Sequence, residues 1–116
     1  MYIRSREESI EQLSETLNPE QLRKAITQRY SALSLSVIAD FKKEYADKLI
    51  DSRFSAETIN KLTRAYYDEK IDTEDLFIAV KYSGGANEKY IDDFLDSIDK
   101  GFYHGIAAKT FLAVLF

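Results

Sequence analysis

"QLRKAITQRYSALSLSVIADFKKEYADKLI", residues 21–50, decides the fold. Leu22, Ile26, Tyr30, Leu33, Val37, Phe41, Tyr45 and Leu49 recur along it at steps of four or three, the spacing that puts side chains on one face of an α-helix. The stripe predicts one long helix, about 45 Å at 1.5 Å per residue, with its neighbours as shorter helices laid along it. Its weak place is "SALSLS", residues 31–36, where three serines alternate with small or apolar residues as in a strand. Any kink or break is expected there.

Upstream, "NPEQ" marks the start of that helix: Asn18 can cap, Pro19 suits the first helical position and Gln21 can close the box. Before it, "SREE" places Ser5 as an N-cap with Glu8 three residues on, and Ile10, Leu13 and Leu17 follow at helical spacing, so a helix is predicted over about 6–17. Downstream, "SRFSAET" ends the long helix and starts another with Ser55 as cap and Ile59, Leu62 and Tyr66 facing inward. "DTED" restarts with Asp72 or Thr73 as cap and Leu76, Phe77 and Val80 inward. The paired glycines of "SGGAN" break the chain again. Ile91, Phe94, Leu95 and Ile98 form the inner face of a helix over 88–99 closed by Gly101, and "GIAAKTFLAVLF" is a short apolar helix. The expectation is an all-α helical bundle: a single domain over 1–116, one long helix with four or five shorter helices packed against it.

Composition agrees with a packed domain. The 116 residues are 45% hydrophobic and 31% charged, with one proline and four glycines, which excludes disorder and fibrous repeats. Cysteine is absent, so there is neither a disulfide framework nor a thiolate nucleophile, and a cytoplasmic location is expected. "MYIRSREESIEQL" lacks the apolar run of a signal peptide, and no stretch has the length to span a bilayer. The net charge of −4 is unevenly placed. Up to Tyr67 there are 11 Lys and Arg against 10 Asp and Glu; from Asp68 onward there are 5 against 10. An acidic half repels DNA, RNA and anionic membranes and favours a basic protein as partner.

"YDEKIDTEDL", residues 67–76, invites comparison with a calcium loop. With Ile71 at the apolar eighth position, however, the first and third positions hold Arg64 and Tyr66, the sixth holds Glu69 where glycine is needed, and only Asp68 and Asp75 remain as oxygen ligands. A second unit in the same register has Asp99, Ile106 and Phe111 in place, but Gly101, Tyr103 and Thr110 stand at ligand positions. The spacing of the two units, joined through "SGG", resembles the paired units of the calmodulin and myosin light-chain family over roughly the last 46 residues. That resemblance implies at most a ligand-less pair. No metal or other cofactor is expected, and the acidic run is read as a helix-to-helix turn whose carboxylates favour the next helix dipole.

Catalytic constellations are missing as well. His104 is the one histidine, which rules out a histidine-pair metal site, and neither a phosphate loop nor a GxSxG elbow is present. The chain is therefore read as non-catalytic, with surface as its means of action. Asp92, Asp93, Asp96 and Asp99 fall opposite Ile91, Phe94, Leu95 and Ile98 and form an acidic stripe suited to steering a basic partner. Tyr66, Tyr67, Phe102 and Tyr103 sit beside helix ends, and tyrosine is a favoured contact residue. The expected function is a small acidic helical inhibitor of the immunity type, which binds a basic bacterial or phage-target protein. Two alternatives are a structural subunit of a phage particle or other assembly, self-associating through the apolar C-terminus, and a light-chain-like adaptor.

Overall fold

A computed structural model describes residues 3–81, 88, 91–93, 95 and 96. Among them are six α-helices and no strand: α1 (Arg6–Thr16), α2 (Pro19–Thr27), α3 (Ala32–Ala39), α4 (Lys43–Asp51), α5 (Ala56–Tyr67) and α6 (Thr73–Lys81). Residues 91–93 and 95–96 are helical too. The expected all-α class is what the structure shows. None of the described helices is long and apolar enough to cross a membrane.

The long helix is not formed. Its stripe is cut into α2, α3 and α4, and the cause lies in the arithmetic of the stripe itself. From Leu22 to Leu49 it advances 27 residues in seven steps, so on a straight helix it drifts about 180° around the axis, and its two ends face opposite ways. Breaks restore burial. Ile26 nonetheless stays 42% exposed, while Ala25 beside it is fully buried.

Each break has its own fastening. At the first, Gln28 is extended, Tyr30 is buried, and the Asn60 side-chain amide on α5 accepts from Ser31 N (2.9 Å) and donates to the Arg29 carbonyl (3.2 Å). Ser31 then caps α3 by accepting from Ser34 N at 3.0 Å. At the second break, Asp40 receives Arg4 in an ion pair of 2.8 Å, and the same guanidinium donates to the Ser36 carbonyl at 3.3 Å. A cation thus sits on the negative end of the α3 dipole.

Residues 34–39 of α3 are all buried. A helix with no polar face belongs in the middle, and α3 packs on α1, α5 and α4. Ser34 is accommodated by a one-way relay of hydroxyls: Ser31 donates to Ser34 (2.9 Å), Ser34 bonds Thr63 of α5, and Thr63 donates to the Ile59 carbonyl (2.8 Å); the Ser36 hydroxyl accepts from Arg4 (3.4 Å). Leu13, Leu35, Ile38, Leu49, Ile59, Leu62, Leu76 and Ile91 belong to one continuous core.

The expected starts of α1, α2 and α5 are where the sequence placed them. Ser5 accepts from Glu8 N (3.2 Å), Asn18 from Gln21 N (2.8 Å) and Ser55 from Thr58 N (3.3 Å). Gln21 does not close its box; its amide reaches Asp51 of α4 at 2.6 Å. The break at "SGGAN", the close at Gly101 and the C-terminal helix lie outside the described residues.

Candidate functional site

The element that carries the acidic stripe is set against α5. Glu88 brings its Oε1 to the start of that helix, where it accepts from Ser55 N (2.9 Å) and from the hydroxyls of Ser55 and Thr58. Unpaired N–H groups and the helix dipole make this end receptive to an anion. Burial acts to raise the Glu88 carboxyl, but the bonds from Ser55 and Thr58 and the charge of Lys61 outweigh it and hold the group below its usual range.

One turn on, Ile91 enters the core with 1% exposure and Leu95 packs beside it, so Asp92, Asp93 and Asp96 come out on the opposite, exposed side. Lys61 of α5 donates to Asp92 at 2.8 Å and pairs with Glu57 at 3.4 Å; its ammonium is pushed up chiefly by the bond to Asp92. Lys61, Arg64 and Lys70 line the cleft between α5 and this segment together with Asp68, Asp92 and Asp96. The acidic stripe is therefore edged by cations, and Asp92 is held internally by Lys61. Asp99, Phe102 and Tyr103 lie outside the described residues.

Tyr66 and Tyr67 end α5, both half-buried. The Tyr66 ring lies 5.4 Å from Phe41, and its hydroxyl accepts from Thr73 at 3.4 Å. From Phe41 the row continues to Phe77 (5.3 Å, edge to face) and on to Tyr45 (4.7 Å, stacked), with the Lys48 ammonium 5.8 Å from the last ring. Tyr66 is thus one of four rings that join α4, α5 and α6. The row opens into a groove of about 980 Å³ between α4 and α6, lined by Tyr45, Phe77 and Ile78 with Lys48, Arg53 and Glu74 at its edges. Spacing alone puts Phe41, Tyr45 and Phe77 inward; the tandem i, i+4 aromatics of "FKKEY" are the sequence signal for a shared aromatic face.

The acidic turn before α6 is consumed by its own backbone. Asp72 Oδ1 accepts from Asp75 N (2.8 Å), and Asp75 Oδ2 accepts from Asp72 N (3.3 Å), a reciprocal cap that selects Asp72 over Thr73. Lys70 N bonds the Ala65 carbonyl (2.9 Å) and Glu69 N the Tyr66 carbonyl (3.1 Å), the paired closure of a helix through a left-handed residue, here Glu69 at φ 63°. Among the described residues no three His, Asp or Glu side chains converge as a metal ion would need. No protein-family model, curated protein or solved structure matches the chain.

Proposed function

We propose that the chain is a non-catalytic protein-binding module, a small acidic inhibitor of the immunity type. It acts in the cytoplasm and docks Asp92, Asp93 and Asp96 on the basic surface of a bacterial or phage-target protein. The observation that carries this reading is the exposure of those three carboxylates on one side of an element whose Ile91 is locked in the core. Such a face meets a partner without rearranging the fold. Its charge speeds encounter and fixes register, and Lys61, by holding Asp92, fixes the geometry of one of the three.

The test starts from a partner captured on the immobilised chain and compares association rates for the wild type and the Asp92→Lys, Asp96→Lys double variant. At low salt the variant should associate on the order of ten-fold more slowly, and the gap should close as salt is raised. Equal rates at low salt would remove this face from the interface.

A further inference from the structure

The acidic element is held on the six helices by an uneven set of contacts. Of the core residues described, Ile91 alone comes from it; the others lie between Leu13 and Val80. Leu95 adds a half-buried contact. Among the described residues the polar hold includes Glu88 at the start of α5 and Asp92 on Lys61. Hydrogen bonds to a charged acceptor are about twice as strong as neutral ones, and Glu88 gathers three of them on one oxygen.

We infer that Glu88 is a latch: its carboxylate at the N-terminus of α5 keeps the element bearing the acidic face docked, and its protonation frees that element while α1 to α6 stay folded. The charged groups around it are Lys61 directly and, through Lys61, Glu57 and Asp92. Because the docked carboxyl lies below its ordinary value of 4.5, the ionised form favours docking. The hold is complete above that ordinary value and is lost as pH falls through the lower, docked one. The inference concerns how the face is held, and stands whether or not a partner uses it.

Hydrogen exchange on the full chain tests it, with rates corrected for the intrinsic effect of pH. In Glu88→Gln at neutral pH, amides of 91–96 should exchange at least ten-fold faster than in the wild type, with those of α1 and α3 unchanged. The wild type should reach the same pattern only below the usual glutamate range, and Asp92→Asn should move that midpoint upward without abolishing it. Wild-type exchange in Glu88→Gln would overturn the latch, showing that packing alone holds the element. Equal acceleration in α1 and α3 would also overturn it, since the element would then open only with the whole fold.

Discussion

Ser34 and Thr63 are both fully buried; Ser34 accepts from Ser31 and Thr63 donates to the Ile59 carbonyl, so the Thr63 oxygen is the acceptor left for the Ser34 proton. Thr63→Val keeps the volume but leaves the Ser34 proton without an acceptor, which should cost about 1–3 kcal/mol in urea unfolding. Adding Ser34→Ala should recover part of that loss, with a coupling of at least about 0.5 kcal/mol; strict additivity would mean that the two hydroxyls act independently. Glu69 presents the opposite case, a side chain where none is wanted. A Cβ in the left-handed region costs about 1–2 kcal/mol, and glycine returns part of that through its freer unfolded chain. Glu69→Gly should therefore stabilise by about 0.5–1 kcal/mol, visible as a higher unfolding midpoint. The capping residues Ser5, Asn18, Ser55 and Asp72 were legible because a cap is written within four residues of sequence. The Ser34–Thr63 pair was not, because its members stand 29 residues apart and either could have faced solvent.

Among the elements, the links carry as much information as the helices. Tyr30 lies in the link between α2 and α3 at 5% exposure, and burial pushes its phenol up to about 12. A phenol raised in the folded state stabilises fully below its unfolded value of 10.0 and loses that contribution as pH rises through about 12. Stability should fall across that window and fall less steeply in Tyr30→Phe, as measured by denaturant titration at each pH. At the next restart, Asp72→Ala removes the reciprocal cap of α6 and should cost about 1 kcal/mol. The helix-type pattern of residues 19–51 was correctly legible, but its continuity was not. Spacing put Tyr30, Val37 and Leu49 inward correctly, but Ile26 is exposed, and Ala25, Leu35, Ile38, Ala46 and Ile50, all off the stripe, are buried, because three short helices turn different faces to the core than one long helix would. The breaks depend on Asn60 and Arg4, which lie far away in sequence and were not singled out by any local pattern.

For the whole molecule, the split of charge was legible from the residue count, and the structure adds that Lys61, Arg64 and Lys70 line the cleft beside the acidic stripe. Light scattering after size exclusion should give a monomer mass at both low and high salt if the apolar core is satisfied within one chain. A defined oligomer would instead favour a structural subunit. The outward placement of Asp92, Asp93 and Asp96 was legible from periodicity alone, since an alternation of apolar and acidic residues on one turn fixes which side is out. The groove between α4 and α6 was hidden, because it is formed by the approach of two helices whose sequences separately show only inward faces. The two breaks between residues 19 and 51 have a further consequence, for the segment taken alone. A continuous helix of that length would retain measurable helicity when excised as a peptide, whereas pieces of eight or nine residues are too short to repay their own nucleation in water. The peptide 19–51 should thus give the circular dichroism of a coil, and the shape of this stretch is a property of its surroundings, acquired only when α1 and α5 close around it.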